Sequence, residues 1–287
     1  MPEHSAQRLA GKVAVVTGGG WNVGRAVALR FAREGASVAV AGRNAERLDE
    51  TVALIEEATG GAAKALAVPC DVTEREQVDA LVDRTRAELG SAHVLAAIAG
   101  GGGGYDQVDE IDPEWWAYVI RLNLVGTFHA VRAVVPDMRR MGGGSILTCT
   151  GGGGFFPALG TPASAYATSK AGICRLTDQL ALELHGAGIR VNCVSPELVW
   201  SPERLAEVEA EERRTGTKHP DRDNVHPPED AAELAAWLAS DESAPLTGRA
   251  VSVNDRWWRD RAEVERVIAS VHAYTLRRVD ADARVPQ

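Results

Sequence analysis

The chain has 287 residues, of which 45% are hydrophobic, so it can bury the core of one large domain or two small ones. Its formal net charge of -9 argues against a nucleic-acid or anionic-membrane surface, since either needs clustered positive charge. We therefore expect a soluble globular protein whose partner is a small molecule.

Cysteine usage and apolar runs bear on metals and location. The four cysteines are scattered without a CxxC spacing or a Cys/His pairing, which fits a reducing cytoplasm and predicts no metal site. The opening stretch MPEHSAQRLAGK lacks the apolar core of a signal peptide. No run approaches the roughly 18 apolar residues that a membrane span requires. We expect a cytoplasmic protein that does not cross a membrane.

Short apolar runs rich in β-branched residues alternate with longer segments of helical periodicity. The predicted strands are residues 12–17, 37–41, 65–69, 94–99, 145–150, 190–195 and 250–254. The predicted helices are residues 23–34, 45–59, 74–89, 113–138, 163–186 and 229–240. This alternation predicts an α/β fold in which helices cover both faces of a doubly wound, mostly parallel seven-stranded sheet.

Two segments depart from the alternation. Residues 196–226 have a proline-rich start, a charged middle and a polar end, which we interpret as a mobile substrate-side loop or lid with a short helix. Residues 257–287 are a predicted helical tail behind a single domain of residues 1–256, and Trp257 and Trp258 need a surface to bury against. An oligomer contact, a cap over the site or packing on the same domain would each supply one.

A glycine-rich turn stands between the first predicted strand and the first predicted helix. Residues 17–24 read TGGGWNVG, with Gly18 and Gly24 at the outer positions. Glycine lets the backbone approach a pyrophosphate, whose charge meets the free N–H groups at the start of the helix. The turn predicts a Rossmann-type dinucleotide site, although such a turn can also simply connect a strand to a helix.

Arg43 bears on which dinucleotide is expected. The second predicted strand ends in AGRN, without the acidic residue that commonly binds the ribose hydroxyls. The guanidinium of Arg43 can instead pair with a 2′-phosphate, which favours NADP(H) over NAD(H). The alternative is a solvated arginine that opens the next helix.

From residue 9 to residue 255 the sequence resembles the short-chain dehydrogenase/reductase family, whose motifs it carries in the same order. The glycine turn resembles TGxxxGxG, and CDVT at 70–73 resembles the acidic turn after strand three. The resemblance implies that Asp71 receives the adenine amino group and Val72 contacts its ring, although Asp-Val-Thr is also a plain helix N-cap sequence. The other cofactor contacts that it implies are Asn22, Val23, Ala99, Gly100 and Val199.

The family's YxxxK motif is matched by Tyr166 and Lys170, after the fifth predicted strand. One helical turn apart, the two side chains share a face, so the ammonium can stabilise a phenolate and lower a tyrosine pKa that is normally about 10. The resemblance implies that a hydride passes between the nicotinamide and a carbon bearing oxygen while Tyr166 exchanges the proton with that oxygen. Lys170 would also hold the nicotinamide ribose. Asn123, in LNLVGTF, would anchor a proton-relay water or serve as a buried network amide.

The family's catalytic serine has no counterpart with a hydroxyl. Alignment of GGSILTCTGG with the family run places Gly151 at its position, and counting back from Tyr166 places Gly153 there. Loss of one such donor typically costs about 10²- to 10³-fold in rate, which slows carbonyl reduction without preventing it. Thr150 is the nearest hydroxyl and a candidate substitute, but strand alternation points it away from the side of residue 151.

Further substitutions mark a divergent member of the family. They are Asn22 for the middle glycine, AIAG at 97–100 for NNAG, Glu197 for the glycine after proline, and residues 254–256 for DGG. Asparagine tolerates left-handed backbone angles, so cofactor binding is expected to survive the first change. The glycines at 151–154, followed by Phe155 and Phe156, predict a roomy wall for a bulky apolar or aromatic substrate, unless the phenylalanines join the core.

These features predict an NADP(H)-dependent oxidoreductase that interconverts a ketone and a secondary alcohol. A non-redox isomerase, lyase or cyclase on the same scaffold, in which Tyr166 moves protons, is the alternative that the missing serine favours. A non-catalytic binding protein with the tryptophan-rich tail as its partner surface is a third. By resemblance, we expect a homodimer or homotetramer formed through the helices at 113–138 and 163–186.

Overall fold

A computed structural model describes residues 7–103, 105–157, 161–270 and 272–275. The strands within these residues are β1 (Val13–Thr17), β2 (Ser37–Gly42), β3 (Ala65–Pro69), β4 (Val94–Ala97), β5 (Gly144–Cys149), β6 (Ile189–Ser195) and β7 (Ala250–Ser252). They form a seven-stranded sheet in the order β3-β2-β1-β4-β5-β6-β7, and all neighbours are parallel. This order confirms the predicted doubly wound fold. The strand order reverses between β1 and β4, where such sheets bind ligands.

Helices cover both faces of the sheet, as predicted. They are α1 (Asn22–Arg33), α2 (Ala45–Thr59), α3 (Arg75–Glu88), α4 (Pro113–Ile120), α5 (Gly126–Met141), α6 (Ser164–Leu184), α7 (Pro202–Thr215), α8 (Pro228–Ala239) and α9 (Arg261–Ala269). One buried apolar cluster lies under α1, α2 and α8, and the other lies under α3, α5 and α6. Because both faces are covered, β1 is buried at every position, which explains its uninterrupted apolar sequence. In the described part of the chain, no helix has both the length and the apolar content to cross a membrane.

The long helix predicted at 113–138 is interrupted in the structure. It begins at Pro113, where the side chain of Asp112 caps it by accepting a hydrogen bond from Glu114 N. Between α4 and α5 the chain passes through a π-helical turn, Arg121–Val125. Such turns occur frequently at functional sites, and this one contains the buried Asn123.

The segment 196–226 contains the predicted helix. It spans Pro202–Thr215, so with 14 residues it is longer than predicted. The two ends of the segment meet in a parallel bridge between Leu198 and Val225. His226 N also donates to Leu198 O at 2.8 Å. The excursion is therefore tied at its base to the strand edge that forms the site.

The described part of the C-terminal tail packs on its own domain. Trp257 and Trp258 are buried around Trp237 of α8, with ring centroids 6.1 and 5.6 Å from that ring. Tyr274 lies 4.9 Å from the ring of Trp257, and its carbonyl accepts a hydrogen bond from Ala250 N on β7. Of the three alternatives for the tryptophans, the structure favours the last. Residues 276–287 of the predicted tail lie outside the described residues.

Candidate active site

A cleft of about 700 Å³ follows the carboxyl ends of the central strands. The structure places in its lining every predicted site residue except Asn123, namely Gly18, Asn22, Val23, Gly24, Arg43, Asp71, Val72, Ala99, Gly100, Thr150, Tyr166, Lys170 and Val199. These residues come from turns that are far apart in sequence. The parallel sheet brings them together because all of its strands end on one edge.

The glycine turn has the close packing that a pyrophosphate site needs. A Cβ on Gly24 would lie 2.1 Å from Gly18 O, so helix α1 starts directly against the turn. Gly18 has a φ of +71° and packs against the backbone of Ala99. Asn22 takes a left-handed φ of 45°, the conformation that asparagine tolerates best after glycine. A diphosphate therefore fits this turn, since the glycines bring its backbone against the first turn of α1, where helix N–H groups have no intrahelical partner.

Two arginines lie at the end of β2. Arg43 is exposed and donates from Nη1 to Tyr118 Oη at 2.8 Å. Arg47, in the first turn of α2, stacks its guanidinium 4.1 Å from the ring centroid of Trp21. Neither Arg47 nor Trp21 was singled out from the sequence, although both line the cleft. The sequence signal for Arg47 was its place in the first turn of α2, three residues after Asn44. Asn44 caps this helix and also lines the cleft.

Asp71 and Val72 line the cleft after the end of β3, where the family resemblance implies that the adenine binds. The Oδ1 atom of Asp71 accepts hydrogen bonds from Thr73 N and Thr73 Oγ1, both at 2.9 Å. Asp71 therefore caps the turn before α3, while its second carboxylate oxygen has no hydrogen bond to a described residue. Val72 is buried, and its Cγ2 lies 2.6 Å from the place of a Cβ on Gly126. Both the turn-capping and the adenine-contact interpretations of Asp71 are compatible with this geometry.

Tyr166 and Lys170 project from the first turns of α6 into the cleft. The Lys170 ammonium is buried and donates to Cys149 O at 3.0 Å, which places Nζ at the end of β5. Its Nζ is 5.7 Å from the centroid of the Tyr166 ring and 3.5 Å from the place of a Cβ on Gly100. The ammonium thus lies between the phenol and the glycines that follow β4.

The pKa of Tyr166 differs in direction from the sequence-based expectation. Burial raises this pKa above its ordinary value, and repulsion by the ionised forms of Cys149, Tyr105 and Glu197 adds to the rise. The net direction is opposite to the lowering that the sequence predicted, because burial of the phenol outweighs any effect of the Lys170 ammonium, which is bonded to Cys149 O. At neutral pH the residue is therefore a phenol with a proton to donate.

Asn123 supports the cleft from behind rather than lining it. Its side chain is fully buried and bonds both backbone groups of Gly101, accepting from N at 2.9 Å and donating to O at 3.0 Å. The amide also donates to Ser169 Oγ at 2.9 Å. Of the two interpretations, the network amide describes its side chain. Asn123 holds the glycine-rich segment that follows β4 against α6.

The geometry distinguishes the two candidates for the serine position. A Cβ on Gly151 would lie 2.8 Å from Tyr166 Oη, whereas a Cβ on Gly153 would meet ring carbons of Tyr166 at 3.6 Å. Only a side chain at residue 151 would reach the hydroxyl. Thr150 does not replace it, because its Oγ1 donates to Lys170 O at 3.2 Å and accepts from Cys174 Sγ at 3.4 Å. That candidate role for Thr150 is contradicted: its hydroxyl points under α6, as strand alternation requires.

The aromatic wall predicted after the glycine run is not formed. Phe155 packs against the small core cluster of Ile173, Cys174 and Cys193. Phe156 is 74% exposed, and neither phenylalanine lines the cleft. The glycines at 151–153 therefore put no side chain against Tyr166, and the aromatic rings lie elsewhere.

Glu197 is a cleft residue that the sequence analysis recorded only as a departure from the family pattern. It follows Pro196 directly after β6 and lines the cleft near Gly152. Its Oε1 accepts hydrogen bonds from Ser195 Oγ and Ser252 Oγ. The available signal was an acidic residue at a position where the family has glycine.

The cysteines and acidic residues form no metal centre in the described chain. All four cysteines are buried free thiols. Among the residues that the structure describes, no group of three or more His, Cys, Asp and Glu side chains is placed to hold a metal ion.

Comparison with known proteins agrees with this arrangement. The family model described as enoyl-(acyl carrier protein) reductase matches residues 20–255. The chain is 35% identical over 250 residues to 3-oxoacyl-[acyl-carrier-protein] reductase of Thermotoga maritima, covering 86% of this chain and 98% of that one. It is 30% identical over 247 residues to 7α-hydroxysteroid dehydrogenase of Escherichia coli, covering 86% and 94%.

Solved structures give the same result. L-sorbose reductase from Gluconobacter frateurii, complexed with NADPH and L-sorbose, superposes with a TM-score of 0.76 at 28% identity, covering 86% of this chain and 97% of that chain. A short-chain type dehydrogenase/reductase from Mycobacterium marinum gives 0.75 at 30% identity, covering 88% and 97%. These similarities favour a redox enzyme over the non-redox and non-catalytic alternatives. The chain belongs to the short-chain dehydrogenase/reductase family and is an oxidoreductase of that family.

Proposed function

We propose that the protein is an NADP(H)-dependent oxidoreductase that interconverts a ketone and a secondary alcohol, with Tyr166 as general acid and base. The observation that carries the proposal is the position of Tyr166 Oη, 2.8 Å from the place of a Cβ on Gly151 and inside the cleft that contains the glycine turn. A substrate oxygen above Gly151 would meet the phenol. One cleft can therefore hold a dinucleotide and a carbonyl group.

The residues divide the chemistry as follows. When bound, the nicotinamide supplies a hydride in reduction and accepts one in oxidation. Tyr166 donates a proton to the substrate oxygen in reduction, a role that suits a phenol whose pKa burial raises. Lys170 lies within 5.7 Å of the ring, so its charge favours the phenolate that remains after the transfer. By family resemblance its ammonium also holds the nicotinamide ribose.

The preference for NADP(H) is supported by the charge at the end of β2. Arg43 and Arg47 line the cleft there, and Arg47 is held by its stacking on Trp21. A guanidinium pairs with a phosphate through strong charge-assisted hydrogen bonds. Among the similar structures, L-sorbose reductase is complexed with NADPH.

The substrate is proposed to be bulky. The glycines at 151–153 place no side chain beside Tyr166, and Tyr105 borders the same space, since its Oη lies against Gly102. The relatives named above are a 3-oxoacyl-[acyl-carrier-protein] reductase, a 7α-hydroxysteroid dehydrogenase and an L-sorbose reductase, and the first two names include bulky substrates. An aryl ketone is a suitable first probe.

We further propose a cytoplasmic homodimer or homotetramer formed through α5 and α6. Large apolar side chains stay exposed on these helices, with Phe128 at 45% and Leu182 at 75%. Such side chains are the usual content of a subunit interface.

The first test is a titration with NADPH and NADH, monitored by tryptophan fluorescence, because Trp21 lines the cleft. Wild type should bind NADPH more tightly than NADH. Arg43→Ala should weaken NADPH binding about 10- to 100-fold, the effect of one lost charge-assisted contact, and leave NADH binding unchanged.

The matched control is Arg139→Ala, an exposed arginine near the end of α5 that does not line the cleft. It should bind both dinucleotides like wild type. Equal affinity of wild type for NADPH and NADH would contradict the cofactor assignment. Failure to oxidise NADPH with any ketone would contradict the proposed reaction.

A further inference from the structure

Glu197 adopts a backbone conformation that is unfavourable for its residue type. Its φ is 54°, in the left-handed region where a side chain other than glycine or asparagine is strained. The related family has glycine at this position. Strain of this kind persists when the surrounding structure holds the residue in place, and it is concentrated at functional sites. We therefore expect specific contacts to hold the side chain of Glu197 in place.

One oxygen of the Glu197 carboxylate is anchored to the sheet. Oε1 accepts from Ser195 Oγ at 2.8 Å and from Ser252 Oγ at 2.7 Å. Ser195 is completely buried at the end of β6, and Ser252 ends the neighbouring strand β7. Two strands thus supply one donor each to the same atom, which fixes the orientation of the carboxylate.

The other oxygen faces the space beside Tyr166. Glu197 Oε2 has no hydrogen bond to a described residue and lies 3.5 Å from the place of a Cβ on Gly152. The neighbouring Gly151 is the residue whose Cβ would lie 2.8 Å from Tyr166 Oη. The free carboxylate oxygen and the phenol therefore border the same part of the cleft.

A carboxylate at this place cannot take over the task of the missing serine. The serine hydroxyl donates a hydrogen bond to the substrate oxygen, whereas an ionised carboxylate only accepts. It would repel a carbonyl oxygen that approached it. When the substrate displaces water from its unpaired oxygen, an N–H or O–H group must take the place of that water, and a substrate without one would desolvate the oxygen at a cost.

A second carboxyl group, Asp255, lies close to Glu197 but does not line the cleft. Burial raises the pKa of Asp255, and the charge of Glu197 contributes to the rise, so the two groups are electrostatically close. Asp255 accepts from Ser252 N at 2.8 Å, next to the hydroxyl that anchors Glu197. The charge of the Glu197 carboxylate, which lines the cleft, disfavours a substrate with a carboxylate beside its carbonyl and favours a hydroxyl or an ammonium.

We propose that Glu197 is a specificity-determining residue that selects ketones and alcohols with a hydroxyl or ammonium group on the carbon next to the reacting one. The inference rests on the proposed ketone reduction and adds the substrate class. The substrate oxygen meets Tyr166, and the neighbouring donor meets Oε2 of Glu197. Reduction then yields a vicinal diol or an amino alcohol.

A matched series of aryl ketones tests this with NADPH oxidation as the readout. The series is acetophenone, α-hydroxyacetophenone, α-aminoacetophenone and phenylglyoxylate, which differ only in the group beside the carbonyl. We expect wild type to favour the hydroxy or amino ketone over acetophenone about 10- to 100-fold in kcat/KM, with phenylglyoxylate the poorest. The two donor-bearing ketones show which donor the site prefers.

Glu197→Gln sharpens the test because it reverses the polarity of one atom. The serine hydroxyls donate to Oε1, so the amide must present its NH₂ group to the substrate. The preference for donor-bearing ketones over acetophenone should disappear, and phenylglyoxylate should gain relative to the others. The control is Glu207→Gln, the same change on an exposed position of α7, which should keep the wild-type order.

The outcomes separate this inference from the proposed function. Reduction of all four ketones at similar kcat/KM by wild type would overturn the role of Glu197 and leave the proposed function intact. If no ketone is reduced, the proposed function fails, and calorimetry with styrene glycol, phenylethanolamine, α-methylbenzyl alcohol and mandelate decides the inference. Preferential binding of the first two, lost in Glu197→Gln, would support it. Equal or absent binding would overturn it.

Discussion

The two ends of the cleft lie on the same strand edge but are built differently. The adenosine end consists of the glycine turn, Arg43 and Asp71, and it keeps the spacing of the family apart from Asn22. The proposed substrate end consists of Gly151, Tyr166 and Glu197, at positions where the family resemblance leads us to expect serine at 151 and glycine at 197. At the first end we propose that backbone geometry provides most of the binding. At the second, side chains provide it, so two substitutions can change which substrate fits while the cofactor cradle stays.

Removal of the Tyr166 hydroxyl should separate the two ends most clearly. In Tyr166→Phe we expect ketone reduction to fall about 10²- to 10⁴-fold, because the general acid is lost. NADPH affinity should stay within about threefold of wild type, since backbone and arginines hold the adenosine half. Steady-state rates and the fluorescence titration measure the two effects. The control is Tyr274→Phe, because Tyr274 stacks on Trp257 and does not line the cleft. A parallel loss of NADPH binding would contradict the separation.

Gly151→Ser should bring the substrate end closer to the family pattern. A donor at this position is worth about 10²- to 10³-fold elsewhere, but here the new Cβ would lie 2.8 Å from Tyr166 Oη, so the phenol must shift. We expect a smaller rise, about tenfold in kcat with acetophenone. Gly153→Ser is the matched control, because its Cβ would face ring carbons and not the hydroxyl. An equal rise in both variants would mean that residue 151 is not the serine position.

Thr150→Val should have the smallest effect on catalysis. The hydroxyl donates to Lys170 O beneath α6, so its loss should lower the free energy of unfolding by about 1 kcal/mol. kcat/KM should remain within about threefold. Urea denaturation and steady-state rates measure the pair of effects. Thr148→Val, which removes a similarly buried hydroxyl bonded to Thr177, should behave alike. A selective loss of activity in Thr150→Val would restore Thr150 as a substitute for the serine.

Local patterns predicted the fold and the cofactor half of the cleft. The strand predicted at 12–17 ends at Thr17 because Gly18 then takes a left-handed φ, and both events are determined by adjacent residues. Buried parallel strands have continuous apolar sequences because both of their faces are covered. Their positions can therefore be predicted without knowing the neighbouring strand. The same holds for Tyr166 and Lys170, whose shared face follows from helical spacing alone.

The substrate half depended on contacts between distant segments. Spacing allowed either Gly151 or Gly153 as the serine position, and only the approach of α6 to β5 distinguished them. The sign of the Tyr166 pKa shift also depended on burial, which no spacing encodes.

The sequence by itself determined the positions of the strands, the glycine turn and the pairing of Tyr166 with Lys170. Each of these arises from residues that are close together along the chain. Tertiary structure alone decided the place of Trp257 and Trp258, the role of Thr150 and the orientation of Glu197. The carboxylate of Glu197 is fixed by Ser195 at the end of β6 and by Ser252 at the end of β7, and these two strands pair only when the sheet has formed. Side-chain direction beyond a strand end has no periodicity, so it is set by whichever groups the fold brings there.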